Sequence, residues 1–444
     1  MSLASSIIAI GDGTLPASFE GLKSHLGIDW IEDALSRSGV ATVRKRKLTS
    51  DQVVWLVVGM ALYRDRPIPE VVSRLDLVLP ETDGRKGLVS KGAIPQARNR
   101  VGVEPLRELF ATTARHWAVE SADNHRWRGL TVLGIDGTRL RVPDSEDNRE
   151  SFHLPGSARR SSGYPQIQAV GLMVLRSHLL LDFDFDHCRR GELSLAQPML
   201  AKVPAQSLVI MDRGFVSHGL FQRLHSVENQ RHWLSRSTAR LQWRVMRKLG
   251  PGDDLVEVFV GRTARQNNPE LPASYLARAI RYRRKGFKPC ILLTSLLDPS
   301  RYPAVEIVEL YHERWELELG YDEIKTHTLE RLEALRSRTP EGLRQEVWGL
   351  AVAYNLIRRE MEAVAAQLKI PPRRISFRMS LVLVRDLFVW AATASPGSLP
   401  KMIEGMRLDF KRLILPERRS QRSYPRHVKI KMSSYARNDS HPLN

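Results

Sequence analysis

Between positions 130 and 235 the apolar residues come in short blocks, each closed by a polar or glycine residue. Leu130–Thr138 reads Leu-Thr-Val-Leu-Gly-Ile-Asp-Gly-Thr, and Ser207–Phe215 repeats the design as Ser-Leu-Val-Ile-Met-Asp-Arg-Gly-Phe. Short β-branched runs stopped by glycine predict buried strands. Ile167–Leu175 and Leu179–Phe185 predict two more, joined by Arg176-Ser177-His178, a connection short enough for a hairpin. Helical patterns at Glu192–Ala201 and Gly219–Asn229 flank the Ser207 strand, and His232–Ser235 predicts a fifth strand.

Three strands, helix, strand, helix, strand is the order of an RNase H-like core. In that core the first and fourth strands are neighbours, which would bring Asp136 and Asp212 side by side. Each aspartate ends a strand, where open α/β sheets carry their functional crevice. Taken singly, Asp136 could be an Asp-Gly turn residue and Asp212 a helix N-cap.

A third acid lies downstream. Tyr311, Arg314, Glu318 and Lys325 fit the pattern Y-x2-R-x3-E-x6-K. Steps of three, four and seven keep them on one face of a helix. The stripe offers a carboxylate, two cations and a phenol, a set suited to a metal-bound carboxylate beside phosphates. A solvated face with an Arg314–Glu318 ion pair is the plain alternative. Three converging carboxylates repel unless cations neutralise them. Two Mg²⁺ ions, for which Mn²⁺ could substitute, would do so and would clamp an in-line phosphoryl displacement.

These motifs resemble the DDE transposases of bacterial insertion sequences, specifically the insertion sequence 4 family. The four-residue stripe is that family's own motif, and Asp136 and Asp212 match its first two catalytic aspartates. Leu48–Tyr63 resembles the N-terminal domain that often precedes the core, and Tyr424–Lys429 also resembles the family. The resemblance implies that Asp136, Asp212 and Glu318 hold the metals, and that Tyr311, Arg314, Lys325 and Arg213 contact DNA. It implies binding of terminal inverted repeats, cleavage of the ends, joining of the 3′-OH to target DNA, and a homodimer in the synaptic complex. A nuclease without strand transfer and a catalytically silent DNA-binding relative are the alternatives. The 106 residues from Asp212 to Glu318 exceed a bare core. The family explains them by a β-rich insertion, with Leu255–Val260 and Cys290–Ser295 strand-like here and turns around Gln266–Pro272. In relatives an aromatic of this region can stack on a flipped base, for which Trp233 and Trp243 are the nearest candidates.

The expected fold class is α/β. A helical N-terminal domain (1–125) leads into the core (126–236 and 301–365), which a β-rich insertion (237–300) interrupts. A C-terminal helical region and basic tail follow (366–444).

Charge points the same way. A net charge of +19 over 444 residues calls for a polyanionic partner. Basic runs at Arg44–Lys47, in the insertion (Arg281, Arg283, Arg284, Lys285, Lys288) and in the tail (Arg418, Arg419, Arg422, Arg426, Lys429, Lys431) suggest an extended phosphate track. Ser90–Gly102 could open a DNA-reading helix, capped by Ser90, with Gln96, Arg98 and Arg100 as contacts, or could be a plain connecting helix. Asp182, Asp184 and Asp186 alternate, as on the solvated face of an edge strand.

The longest apolar run, Val53–Tyr63, is too short to span a bilayer, and no secretory signal is expected. Two cysteines, Cys188 and Cys290, fit a reducing cytoplasm without a disulfide framework or zinc site. The expected location is the bacterial cytoplasm, with the nucleoid.

Overall fold

A computed structural model describes residues 28–40, 48–75, 90, 92–156, 163–284, 288–329, 335–393 and 399–416. The basic run Arg44–Lys47, Lys285, and the tail from 417 onward lie outside the described residues.

Five strands form the core: β1 (Thr131–Arg141), β2 (Gln166–Val174), β3 (Leu180–His187), β4 (Ser207–Met211) and β5 (Arg231–Arg236). β1 pairs antiparallel with β2 and parallel with β4, and β4 pairs parallel with β5. Their order, β3-β2-β1-β4-β5, is that of an RNase H-like sheet. β2 and β4 are apolar and buried almost throughout, as central strands covered on both faces must be.

The insertion extends this same sheet. It adds β6 (Trp243–Gly250), β7 (Asp253–Phe259), β8 (Ser274–Tyr282) and β9 (Cys290–Thr294), all antiparallel, with β9 hydrogen-bonded to β5. The sheet is thus nine-stranded, ending on β6. A short helix, Arg262–Asn267, runs into the first two residues of the segment expected as turns. Buried Arg278 ties the insertion together through a bidentate pair with Asp253 (2.5 and 2.7 Å).

Helices cover the sheet. Upstream lie α1 (Ile28–Arg37), α2 (Ser50–Leu62), α3 (Ile68–Arg74), α4 (Ala93–Val101) and α5 (Glu104–Asn124). α6 (Glu146–Phe152), α7 (Glu192–Met199) and α8 (His218–Leu224) alternate with the core strands. After the insertion come α9 (Ala304–His312), α10 (Trp315–Asp322), a π-helical turn (Glu323–Thr328), α11 (Pro340–Leu368), α12 (Phe377–Thr393) and α13 (Leu399–Phe410).

The apolar run Val53–Tyr63 is explained by burial on all sides, the mark of a core helix. α2 packs on α11, and Gly349 permits the closest approach: a Cβ there would lie 2.9 Å from the Val57 carbonyl oxygen. One continuous apolar cluster therefore joins α2, α5, α11 and the sheet. Among the described residues no helix is long and apolar enough to cross a membrane.

β3 is an edge strand as expected, but its acids are not simply solvated. Asp182 is buried and pairs with Lys202 at 2.8 Å, and Asp184 and Asp186 are half-buried.

Candidate active site

Three glycines bring the Glu318 helix onto the sheet. A Cβ on Gly134 of β1 would lie 2.7 Å from Leu317, and one on Gly171 of β2 would lie 2.9 Å from the Tyr321 hydroxyl. On the helix itself, a Cβ on Gly320 would lie 2.6 Å from Met173. α10 thus settles into a groove that side chains would fill. The Tyr321 hydroxyl then donates a 2.6 Å hydrogen bond to the Asp136 carbonyl.

The stripe is not one continuous α-helix, as its spacing predicts. α9 ends at His312, Glu313 and Arg314 form the joint, α10 carries Glu318, and Lys325 sits in the π-helical turn. The joint is fixed by Arg176 of the β2–β3 hairpin, which holds Glu313 through two 3.0 Å hydrogen bonds. The next hairpin residue but one, His178, is buried and contacts Glu316 at 2.8 Å and Glu323 at 3.4 Å. Arg358 of α11 pairs with Glu323 and the Tyr354 hydroxyl donates to it at 3.0 Å. This buried network anchors the π turn. Such turns recur at functional sites.

Arg314 joins the acids that the sequence singles out. One nitrogen contacts Glu318 Oε1 at 3.0 Å, and another lies 3.6 Å from Asp136 Oδ2. Tyr311 is buried and feels both Arg314 and Asp212. Asp136 accepts a 2.8 Å hydrogen bond from the Gly137 amide. Burial pushes its carboxyl up to about 6, opposed by that amide and by Arg314, and reinforced by Asp212 and Glu192.

Asp212 follows the last residue of β4, one step beyond the Ile135–Met211 pairing that ends the β1–β4 ladder. It is an N-cap as well as a candidate site residue. Its Oδ1 accepts from the Gly214 amide at 2.6 Å, capping the 3₁₀ turn Arg213–Phe215, and its carbonyl accepts from Ser235 at 3.2 Å. Arg213 is exposed. Burial holds the Lys325 ammonium below its ordinary value, with Asp322 and Asp136 opposing.

The structure therefore brings Asp136, Asp212, Tyr311, Arg314 and Glu318 to one end of the β1–β4 pair, with Lys325 about two turns beyond Glu318. Burial and like charge make ionised Asp136 costly, a cost that a cation would relieve, and the donors are hard oxygens. They fit magnesium or manganese. Among the described residues no three acids, histidines or cysteines yet close into an ion cage, and Arg314 occupies the space between Asp136 and Glu318.

Two expected residues do not join the site. Arg98 is buried and donates to Gln345 (3.0 Å), Ser337 (3.2 Å) and the Gly342 carbonyl (2.6 Å), so it packs α4 on α11 and offers nothing to a phosphate. Arg100 is half-buried and donates to the Leu48 carbonyl at 2.8 Å, which favours the connecting-helix alternative for this segment. Trp233 is a core indole, stacked on Phe221 with ring centroids 4.0 Å apart, and cannot receive a base. Trp243 remains half-exposed at the sheet edge.

Comparison with known proteins decides the family. The family model "Transposase DDE domain" matches residues 127–356, and "Insertion element 4 transposase N-terminal" matches residues 16–111. The chain belongs to the insertion sequence 4 family of DDE transposases. Transposase InsG for insertion sequence element IS4, from Escherichia coli K12, is 38% identical over 416 residues, covering 93% of this chain and 92% of that protein. Putative transposase InsZ of the same organism is 37% identical over 239 residues, 53% of this chain and 77% of that one. Among solved structures, a piggyBac transposase synaptic complex with hairpin DNA aligns over 92% of this chain and 87% of that one, at 12% identity and a TM-score of 0.42. The DDE family gives the general activity, DNA transposition by an enzyme that cuts and transfers DNA with divalent metal ions.

Glu192 lies behind the strand that carries Asp136. It opens α7, and its carboxylate covers Gly137, the residue after Asp136.

Proposed function

We propose that this chain is the transposase of its own insertion sequence element. It binds the terminal inverted repeats, hydrolyses the phosphodiester at each end with Mg²⁺, and joins the freed 3′-OH to target DNA. Two copies act together in the synaptic complex, in the bacterial cytoplasm and nucleoid. The observation that carries the reading is the meeting of Asp136 and Glu318 on Arg314, with Asp212 at the end of the neighbouring strand.

Asp136, Asp212 and Glu318 would hold the ions. When bound, two divalent cations neutralise the acids, polarise the phosphoryl oxygens and lower the pKa of a bound water. Arg314 orients Glu318 and Asp136. Tyr311, Arg314, Lys325 and exposed Arg213 contact the phosphates that flank the scissile bond. In cleavage, water oxygen attacks phosphorus and the bond to the 3′ oxygen breaks, leaving a 3′-OH and a 5′-phosphate. In joining, that 3′ oxygen attacks a target phosphodiester and displaces its own 3′ oxygen. The net charge of +19 supports a long phosphate track.

The test is a joining reaction. Pre-cut end DNA with a free 3′-OH is incubated with the protein, Mg²⁺ and a target plasmid. The expected product carries the end covalently joined to the plasmid. Cutting of uncut ends without any joined product would favour a nuclease.

A further inference from the structure

We infer that His178, at the tip of the β2–β3 hairpin, is a positioning residue for Glu318, acting through Glu316 on the reverse face of α10. The inference rests on the reading of Glu318 as catalytic.

Three observations carry it. First, the partners of His178 settle which ring nitrogen holds the proton. Arg358 Nη2 lies 2.7 Å from Nδ1. A guanidinium only donates, so Nδ1 accepts and the proton sits on Nε2. Nε2 then donates to Glu316 Oε2 at 2.8 Å. His178 and Arg358 are each only 1% exposed, so water does not compete for these bonds.

Second, both ends of this chain of contacts are anchored. Arg358 belongs to α11 and also pairs with Glu323 of the π turn. Glu316 is buried, and Arg373, beyond α11, lies 3.7 Å from its other oxygen. Glu318 follows Glu316 by two residues, about 200° around the helix axis, on the face that meets Arg314. Holding Glu316 therefore fixes the rotation of α10, and with it the direction of Glu318.

Third, His178 takes a left-handed backbone conformation, with φ at +62°. Glycine and asparagine adopt that conformation most readily. The turn does not call for an imidazole. The contacts to Arg358 and Glu316 do.

Two substitutions separate the ring nitrogens. In His178→Asn the amide reaches the Nδ1 position and keeps an acceptor for Arg358, but falls short of Glu316. In His178→Gln it reaches the Nε2 position and donates to Glu316. Glu316→Met cuts the same hydrogen bond from the helix side and leaves the turn untouched. These variants, wild type and Glu318→Gln are compared in single-turnover cleavage of end DNA with Mg²⁺ at saturating protein, in affinity for that DNA, and in thermal unfolding. Cleavage by His178→Asn and by Glu316→Met is expected to fall about tenfold or more at unchanged DNA affinity, because a small misplacement of a reacting group is costly. His178→Gln should recover most of the rate. The double variant should be no slower than the slower single one, since both break one contact. Should His178→Asn be unfolded at the assay temperature, Glu316→Met decides alone. Wild-type cleavage by the folded His178→Asn and Glu316→Met proteins, or a His178→Gln variant as slow as His178→Asn, would reduce His178 to a part of the scaffold. An inactive Glu318→Gln beside either result would leave the site reading intact. Cleavage by Glu318→Gln at the wild-type rate would instead overturn the reading of Glu318, and the role of His178 with it.

Discussion

The Tyr321 hydroxyl donates to the Asp136 carbonyl at 2.6 Å, tying the helix that carries Glu318 to the strand residue its site requires. The contact crosses the groove left by Gly134 and Gly171. It sets the separation of the two acids proposed as catalytic without touching either carboxylate.

Tyr321→Phe keeps the ring and removes this hydrogen bond. The expected loss of stability is about 1 kcal/mol, the net value of one hydrogen bond. Cleavage should fall about tenfold or more, because small misplacements of reacting groups are costly. Urea unfolding and single-turnover cleavage of end DNA, measured on the same preparation, check both. A variant that loses stability but cleaves at the wild-type rate would remove Tyr321 from the positioning of Glu318.

Asp136 carries an electrostatic cost in the cation-free protein. Its carboxyl, pushed up to about 6 by burial, is ionised at neutral pH against that preference. A raised acid pKa means the folded state binds the proton more tightly than the unfolded chain does. The penalty is full above pH 6 and vanishes below the ordinary value of 3.8. Asp136→Asn is therefore expected to stabilise the EDTA-treated protein at pH 8 by about 1–2 kcal/mol after allowance for the lost Arg314 contact. The gain should shrink as pH falls through 6, while transposition is abolished. Denaturant midpoints of both proteins from pH 8 to pH 4 test this.

Glu323 has the opposite sign. Burial alone would raise its carboxyl, but Arg358 and His178 outweigh it and hold the group at about 2. Such an acid stabilises the fold above its ordinary value of 4.5, and that contribution is lost as pH falls through 2. Glu323→Gln leaves Arg358 buried without its counter-charge and should cost about 3 kcal/mol at neutral pH. Its stability should also vary less than that of wild type between pH 4.5 and 2. Acid unfolding followed by circular dichroism reads both.

Arg98 belongs to the scaffold. Arg98→Ala strips a donor from Gln345, Ser337 and the Gly342 carbonyl at once, an expected cost of about 2–4 kcal/mol. Affinity for end DNA, measured well below the unfolding temperature, should be unchanged. A change in the salt dependence of binding would show that Arg98 meets a phosphate after all.

What the sequence discloses, and what it hides, divides along physical lines. Asp136 and Asp212 are legible because each ends an apolar run and the strand order alone makes them neighbours. The Tyr311–Lys325 spacing locates the third acid, but not the joint at Glu313–Arg314 or the π turn. Those follow from Arg176, His178 and Arg358, which are distant in the chain. The close contact of Glu192 with Gly137 is hidden for the same reason: Gly137 looks like a turn glycine and lies within β1. β6 escapes notice because Arg244, Arg247 and Lys248 break the apolar alternation of an edge strand. Arg98 looks like a surface cation until α11, some 240 residues away in sequence, closes over it.

The central claim is that Asp136, Asp212 and Glu318 form one metal-dependent cutting site. Its most direct test is Mg²⁺-dependent excision from a plasmid carrying the element's flanking ends, comparing wild type with Glu318→Gln. Wild type should release the segment, while the variant binds the ends with equal affinity and does not cut. Excision by Glu318→Gln at the wild-type rate would contradict the assignment.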